Sequence, residues 1–285
     1  MDKVAIITDT IACLPRGLVE QYGIELVAPS IYSDGRVYRD MLDISPSEAY
    51  QLLEEAPKLF RTSSPPPADF VQAYRKLSQK AESILCILVS SKMSTFYNVA
   101  LMAKEQAKEE LPHTIIEVLD SQIATGAEGF VVLAAARAAA EGKGLAKAIE
   151  AAQRVKERVS LIFVLETIRH AYRTGRIPKV ASQLGVWLNV KPILTFRDGA
   201  ARFNGVTRNK ENGVNRLLEV MRKRVGKKSV HVAVHHTDVL EEAERLKQRV
   251  LAEFDCVEIW LTEFSPLMSY ATGRGTLGLA FYAED

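Results

Sequence analysis

The sequence predicts an α/β protein of two domains: an N-terminal domain with a mainly parallel sheet flanked by helices, and a C-terminal α+β domain with a partly antiparallel sheet. Two observations carry this prediction. In the first half of the chain, apolar runs of strand length alternate with longer helical stretches, which is typical of βαβ crossovers and parallel sheets. In the second half a hairpin pattern interrupts that alternation, and a hairpin requires antiparallel pairing.

Four continuous apolar runs are predicted as the strands of the parallel sheet. A strand that is apolar at nearly every position is buried on both faces, as it is between two layers of helices. The runs are "KVAIITD" (3–9), "IELVAPS" (24–30), "SILCILVS" (83–90) and "TIIEVLD" (114–120). Helices are predicted up to Gly23, over 46–56, over 94–110 and, in an Ala-rich stretch, up to Glu141.

Two helix starts have local signals. For the helix at 46–56, Ser45 caps, Pro46 takes the first helical position and Glu48 completes a capping box. In "RTSSPPPADF" (61–70) we expect Ser64 to cap and Pro65 to begin the helix. A proline run also fixes φ and restricts the residue before it to extended geometry, so the preceding Thr and Ser are held stiffly.

The pattern changes after residues 142–144. "VKPILTFRDGAARFNG" (190–205) predicts a hairpin with Asp198-Gly199 at the turn. The other elements expected in this half are a helix at 145–158, a strand at 161–166, two short helical pieces around "GRIP", a helix at 209–225, a strand at 229–235, a helix at 239–252, and strands at 256–262 and 275–284. We expect an N-terminal domain over 1–155 and a C-terminal domain over 156–285.

Composition excludes several classes of protein. The net charge of +2 gives no general footprint for a polyanion, so we expect no nucleic-acid partner. Three separated cysteines without a C-x-x-C pair argue against a disulfide framework or a zinc site. The start of the chain does not resemble a signal peptide, and no apolar run approaches the roughly 20 residues of a membrane span. We therefore expect a cytoplasmic protein that is not an integral membrane protein.

Ligands of open α/β sheets bind beyond the carboxyl ends of the strands, so the segments there are the candidate sites. The three segments 8–15, 90–98 and 119–129 carry small hydroxyl residues, no histidine and no clustered carboxylates. Asp9 lacks the second carboxylate of an aspartyl phosphotransferase, because Ile11 stands there. We expect Asp9 to cap or pin its loop.

The serines after the strand at 83–90 leave alternatives open. In one interpretation, Ser91 or Ser94 caps the next helix. In the other, the hydroxyls and the helix N-terminus bind an anion, which could be a carboxylate or a phosphate. A nucleophilic Ser94 needs a base, and none of the five histidines is its neighbour in sequence. Adjacent His235 and His236 point to opposite faces of a strand and make poor joint metal ligands.

Two Gly-containing basic segments also have two interpretations each. "TGRGTLG" (272–278) lacks the ending of a phosphate loop and predicts a tight turn before the last strand. "RTGRIPK" (173–179) is either a solvated helix end or a docking patch for an acidic partner.

These motifs, in this order, resemble the DegV family of bacterial fatty-acid-binding proteins along nearly the whole chain. The segments that carry the resemblance are "TDTIACLP", "TSSPPPADF", "SSKMSTFYNVA", "LDSQIATGAEG", "RTGRIPK", "LNVKPIL" and "GRGTLGLAFY". The resemblance implies two α/β-type domains with a long-chain fatty acid in a tunnel at their interface. It implies that hydroxyls at Thr62 and Ser94 bind the carboxylate, and that Arg176 lies near the head group or a partner.

The sequence departs from the family pattern near the head group. Thr95 stands where Gly is usual, and the usual His-Thr-Gly-Pro-Gly reads Ala-Thr-Gly-Arg-Gly over 271–275. We expect Arg274 partly to replace the missing histidine as a head-group cation. The residues expected at the carboxylate are thus Thr62, Ser94, Thr95, Thr272 and Arg274, with no catalytic residue, no metal and no cofactor.

The function that the resemblance implies is non-covalent carriage of a long-chain fatty acid, presented to a fatty-acid kinase for phospholipid synthesis, with transient membrane contact. Burial supplies roughly 0.8 kcal/mol per CH₂, so a chain of about 16 carbons contributes on the order of 10 kcal/mol before ordering costs. Two alternatives stay open: an acyl hydrolase or transferase with Ser94 as nucleophile, and a nucleotide or phosphate module at Gly273–Gly275.

Overall fold

The computed structural model describes residues 3–56, 59–176 and 190–284, and three sheets organise them. In chain order the strands are β1 (Val4–Asp9), β2 (Glu25–Val27), β3 (Ser30–Ser33), β4 (Arg36–Arg39), β5 (Arg61–Ser63), β6 (Ser83–Leu88), β7 (Ile115–Asp120), β8 (Ser160–Val164), β9 (Lys191–Arg197), β10 (Ala200–Thr207), β11 (Val230–His236), β12 (Cys256–Glu263) and β13 (Leu277–Ala283). The helices are α1 (Arg16–Tyr22), α2 (Pro46–Glu55), α3 (Pro67–Ser78), α4 (Phe96–Ala107), α5 (Thr125–Ala140), α6 (Leu145–Arg158), α7 (Arg169–Arg173), α8 (Lys210–Val225), α9 (Leu240–Glu253) and α10 (Pro266–Thr272).

The N-terminal sheet has four strands in the order β2-β1-β6-β7, all parallel. Every residue of β6 is buried, as its continuous apolar run requires. Because the strand order turns back between β1 and β6, the loops after these two strands diverge and leave a crevice at their carboxyl ends. The predicted α/β fold with a parallel N-terminal sheet is confirmed.

The C-terminal sheet has six strands in the order β10-β9-β8-β13-β11-β12. Only the β11–β12 pair is parallel, and the other neighbours are antiparallel. The hairpin turns at Asp198 and Gly199, both with positive φ, as the sequence predicts. The mixed C-terminal sheet is confirmed.

Local signals placed some helices to the residue. Ser45 accepts a hydrogen bond from the backbone N–H of Glu48, whose carboxylate accepts one from the N–H of Ser45, so the predicted capping box is present. The predicted start at Pro65 is wrong: α3 begins at Pro67 and no side chain caps it. Ser64 turns away from the helix because its hydroxyl bonds that of Thr95 at 2.7 Å.

The third sheet, in the order β4-β3-β5, was not predicted. Its strands are only three or four residues long; β3 contains the buried residues Ile31 and Ser33, whereas the residues of β4 and β5 are exposed or half-buried. It has a small apolar core of its own, in which Ile31 of β3 packs with Phe60, Leu53 and Tyr270. Because Thr62 belongs to β5, this three-stranded sheet holds its backbone in extended geometry.

Helix α5 joins the two larger sheets. It packs against β1 and β6 on one side and against β11 and β13 on the other. At its start, the N–H of Gly126 donates to Nε2 of His235 at 3.1 Å, and a Cβ on Gly126 would lie 2.3 Å from that nitrogen, so only glycine fits. The expected domain boundary at 155/156 falls inside α6 and stays a prediction. Among the described residues no helix combines the length and apolar character that a membrane crossing needs.

Candidate functional site

A cavity lies where the two halves of the chain meet, and residues from both halves line it. Its wall combines the turn after β1, the end of β5, the loop after β6, and α7, β8, β9, β10 and α10. The apolar residues of the wall are Ile11, Val89, Met93, Phe96, Ala124, Phe163, Ala171, Leu194, Phe196, Ala201, Leu267, Met268, Tyr270 and Ala271. Most of the wall therefore suits a hydrocarbon.

The polar part of the wall consists of hydroxyls and one guanidinium. The described polar residues that line the cavity are Thr62, Ser63, Ser64, Ser94, Thr174, Thr272 and Arg176. No histidine and no carboxylate lies among the described residues of the wall. A Ser94 nucleophile would thus have no general base within this described lining.

Four of the six serine and threonine hydroxyls of the cavity are engaged within the protein. The Ser63 hydroxyl donates to that of Tyr32, Ser64 bonds Thr95, Thr174 donates to a backbone carbonyl of α7, and Thr272 donates to the carbonyl of Met268. The hydroxyls of Thr62 and Ser94 have no hydrogen-bond partner among the described residues. These two hydroxyls are available to a ligand.

Backbone contacts fix both residues. Thr62 lies opposite Ile31 in the β3–β5 pair, so its side chain leaves the strand on a defined face. The N–H of Ser94 donates to the carbonyl of Ser90 at 3.1 Å, which closes the turn that leads into α4. Ser90 anchors this turn to the C-terminal hairpin, because its hydroxyl donates to the carbonyl of Gly199 at 2.5 Å.

The expected capping of α4 by serine does not occur. Thr95 is the residue before the helix and makes no capping hydrogen bond, and the Ser91 hydroxyl donates to Asp120 at 2.5 Å. Thr95 is exposed and does not line the cavity, but reaches it indirectly through its bond to Ser64. The loop therefore uses its hydroxyls to join neighbouring elements.

Arg274 is not brought to the cavity. Its guanidinium donates to Glu54 of α2 at 2.6 Å and also bonds Asp238. Because two carboxylates outside the cavity hold this cation, we do not assign it the head-group role that the sequence suggested. Arg274 lies in a tight turn flanked by Gly273 and Gly275, both with positive φ, which agrees with the turn interpretation of this segment.

Thr272 and Arg176 do line the cavity. Thr272 is buried, and its hydrogen is already donated to Met268. Arg176 is exposed, donates to the carbonyl of Thr174 at 2.6 Å, and is the last residue described before residue 190. The rest of "RTGRIPK" and the first two residues of "LNVKPIL" lie outside the described residues.

A cluster of buried acids lies beside the cavity, beyond the ends of β1 and β6. Asp9 accepts hydrogen bonds from the N–H groups of Ile11 and Val89, both at 2.9 Å, which confirms that it pins its loop. Burial raises the pKa of Asp9 to about 7. Burial and the neighbouring charge of Asp9 also raise the pKa of Glu128, so this pair holds a proton.

Sequence reasoning missed two parts of the site. Glu128 was not seen as a partner of Asp9, because the two residues are 119 positions apart and neither segment alone contains clustered carboxylates. Helix α10, which contributes Leu267, Met268 and Tyr270 to the wall, was also missed. Its signal was present in Ser265, which accepts from the N–H of Met268 as a helix cap.

Known proteins with similar sequences cover the whole chain. A family model described as an uncharacterised protein of the DegV family matches residues 3–284. A DegV domain-containing protein of Clostridium perfringens is 31% identical over 283 residues, which is 99% of each chain.

Solved structures agree in fold. A DegV family protein from Thermus thermophilus, described for its fatty acid binding, is 27% identical with a TM-score of 0.90, over 99% of this chain and 100% of that chain. A stearic-acid-binding protein from Eubacterium ventriosum is 25% identical with a TM-score of 0.88, over 99% of this chain and 98% of that chain. The resemblance seen in the motifs is confirmed, and the chain belongs to the DegV family.

Proposed function

We propose that this protein binds a long-chain fatty acid non-covalently, with the carboxylate at Thr62 and Ser94 and the acyl chain along the apolar wall of the cavity. The observation that carries the proposal is that, of the six serine and threonine hydroxyls of the cavity wall, these two have no partner among the described residues. Two hydroxyl donors suit a carboxylate, since charge-assisted hydrogen bonds are about twice as strong as neutral ones. The fatty-acid binding of two relatives supports the same ligand class.

The remaining groups of the cavity are consistent with a carrier. Arg176 supplies a positive charge at the wall, which offsets the charge of a carboxylate. No carboxylate of the described lining opposes the ligand. The acyl chain supplies most of the binding free energy, at about 0.8 kcal/mol per buried CH₂, and the head-group contacts orient it.

Native mass spectrometry of the purified protein, before and after denaturing extraction, tests the proposal. We expect one fatty acid per chain, released on denaturation. Thr62→Val with Ser94→Ala should weaken binding by about 10-fold or more for each lost hydrogen bond to a charged group. Thr62→Ser, which keeps the hydroxyl, is the matched control. A lipid-free protein whose esterase activity disappears in Ser94→Ala would instead favour the acyl hydrolase.

We further propose that the bound acid is presented to a fatty-acid kinase, with Arg176 at the docking face. Its exposed position at the cavity wall makes it accessible to a partner and close to a ligand. Arg176→Ala should leave fatty-acid occupancy within about twofold, because Arg176 is exposed and water screens its charge. The same variant should slow phosphorylation of the bound acid by a bacterial fatty-acid kinase, measured as acyl phosphate formed. Equal rates for both proteins would exclude this role.

A further inference from the structure

Two walls of the cavity belong to elements that are distant in sequence. One wall is the end of β5, with Thr62, on the three-stranded sheet, and the other is α10. The three-stranded sheet and α2 share a small core that is separate from the main one and includes Tyr270 of α10. The position of Thr62 relative to α10 therefore depends on the contacts across this seam, which include the packing of α2 on α10.

The inner contacts of the seam are a ring pair and a buried carboxylate. Phe60, just before β5, stacks on Tyr270 with ring centroids 5.0 Å apart. Asp40, just after β4, accepts a hydrogen bond from the N–H of Leu267 at 2.8 Å and another from the hydroxyl of Thr10. Both contacts tie the three-stranded sheet to α10 from the inside.

The outer contact of the seam is Arg274. Its guanidinium joins Glu54, at the end of α2, to Asp238, in the loop after β11, and lies 5.9 Å from the ring centre of Tyr50. It thus connects three elements that are up to 220 residues apart in sequence. This separates it from the ion pairs between successive turns of one helix, which hold no elements together.

The turn around Arg274 is rigid, so the cation is preorganised. Gly273 packs against His170 so closely that a Cβ would lie 2.4 Å from the ring. On the other side the N–H of Gly275 donates to the carbonyl of Thr237 at 2.9 Å. A fixed backbone lowers the entropic cost of holding a long side chain between two carboxylates.

We infer that Arg274 is a positioning residue of the cavity: it clamps α2 and the three-stranded sheet against α10, and so slows the departure of a ligand between these two walls. The inference rests on the proposed function for the nature of the ligand. A ligand that leaves along this seam must first separate Arg274 from Glu54. The clamp acts on Thr62 through the sheet and does not touch the ligand.

The dissociation rate of a fluorescent fatty acid, cis-parinaric acid, chased with excess stearate, tests the clamp. Arg274→Ala should dissociate about two- to tenfold faster, since each exposed ion pair contributes about 0.2–1 kcal/mol. Glu54→Gln should have a smaller effect in the same direction. Arg222→Ala is the matched control, because Arg222 also pairs with a carboxylate, that of Glu253, and its side chain is 55% exposed, compared with 54% for Arg274. This control variant should leave the dissociation rate unchanged.

Salt distinguishes the clamp from a general loss of structure. Raising ionic strength screens exposed ion pairs, so wild-type dissociation should accelerate with NaCl while Arg274→Ala should respond much less. Arg274→Lys, which keeps the charge without the fork of donors, should fall between the two. Equal rates for wild type and Arg274→Ala, or an equal increase in Arg222→Ala, would overturn the inference.

A second measurement separates failure of the clamp from failure of the proposed function. If wild-type protein does not bind cis-parinaric acid, the proposed function fails, and hydrogen exchange of the ligand-free protein still tests the clamp. Peptides from α2 should exchange faster in Arg274→Ala, and peptides from α9 should not. Unchanged exchange in α2 would overturn the clamp by itself.

Discussion

Two clusters of polar side chains lie next to each other beyond the parallel strands, and they use their hydrogen bonds differently. In the acid cluster, both oxygens of Asp9 accept backbone N–H groups, one from each neighbouring loop. In the cavity, Thr62 and Ser94 present hydroxyls that no described residue engages. Val89 belongs to both regions, since it donates to Asp9 and lines the cavity.

The comparison separates residues that hold the fold from residues that are available for binding. A buried polar group that is bonded within the protein stabilises it, and leaving its partners unsatisfied is costly. A hydroxyl without a protein partner contributes little to stability and is free to bond a ligand. We therefore expect substitutions in the acid cluster to change the free energy of unfolding, and substitutions in the cavity to change affinity.

The largest effect is expected for Asp9→Ala. It leaves the buried N–H groups of Ile11 and Val89 without an acceptor, at about 1–3 kcal/mol each, so the free energy of unfolding should fall by about 2–6 kcal/mol. Urea unfolding followed by circular dichroism measures it. Glu109→Ala, at an exposed position after α4, is the control. If Asp9→Ala lowered the free energy of unfolding by less than 0.5 kcal/mol, which is typical of a surface substitution, the distinction between the two clusters would be lost.

The next effect in size concerns the apolar wall. Ala201→Leu adds three carbon atoms at a buried position that faces the cavity. If they displace about three methylene groups of the ligand, the affinity for a long-chain acid should fall by about 2.4 kcal/mol, or roughly 50-fold. For an acid three carbons shorter, the same variant should lose less affinity. Isothermal titration calorimetry with acids of different chain lengths measures this. Ala252→Leu, on the exposed face of α9, should bind like wild type; equal losses at every chain length would contradict the steric reason.

A pH-dependent effect follows from the buried acids. The folded-state pKa of Asp9 is about 7, above its ordinary value of 3.8, so between these values the folded state holds a proton that the unfolded state has released. Its contribution to stability is complete below pH 3.8 and is lost as pH rises through 7. From pH 5 to 7 the stability of wild type relative to Asp9→Asn should fall by about 1–3 kcal/mol.

The pH comparison is made between variants because buried histidines also make the stability depend on pH. Burial lowers the pKa of His235 to about 3, which makes stability rise with pH and opposes the effect of Asp9. Subtracting the Asp9→Asn profile removes that contribution. The exposed Asp43, whose pKa is lowered by its hydrogen bond with Arg39, is the control, and Asp43→Asn should give a flat difference above pH 5.

The smallest effect on stability is expected at the cavity hydroxyls. Thr62→Val combined with Ser94→Ala removes no hydrogen bond within the described protein, so the free energy of unfolding of the ligand-free protein should stay within about 0.5 kcal/mol of wild type. Differential scanning calorimetry of the delipidated proteins measures this difference in the free energy of unfolding. A loss of 2 kcal/mol or more, on the scale of a buried group left unsatisfied, would show that these hydroxyls support the fold and would merge the two clusters into one.

Much of the fold follows from local patterns. The capping box of Ser45 and Glu48, the Asp198-Gly199 turn, and helix α6 over Leu145–Arg158 all occur where the sequence predicts them. Their signals lie within a few residues, so no tertiary contact is needed to recognise them. The small sheet of β3, β4 and β5 was missed because strands of three or four residues carry too little periodicity.

The candidate site could be predicted only in part. Thr62, Ser94, Thr272 and Arg176 line the cavity, as the family resemblance implied, whereas Thr95 and Arg274 do not. The sequence does not show which partner the guanidinium of Arg274 contacts. Glu54 and Asp238, which bind it, are distant in sequence and compete with a ligand for it.

By itself, the sequence determined most of the helices and longer strands, their order and membership of the DegV family, because hydrophobic periodicity, caps and short motifs are local properties of the chain. Only the tertiary structure decided which polar groups are bonded within the protein and which remain available to bond a ligand. Asp9 meets Glu128, Ser64 meets Thr95 and Arg274 meets Glu54 across 119, 31 and 220 residues. These partnerships depend on how separate elements pack, and they leave the hydroxyls of Thr62 and Ser94 to a ligand.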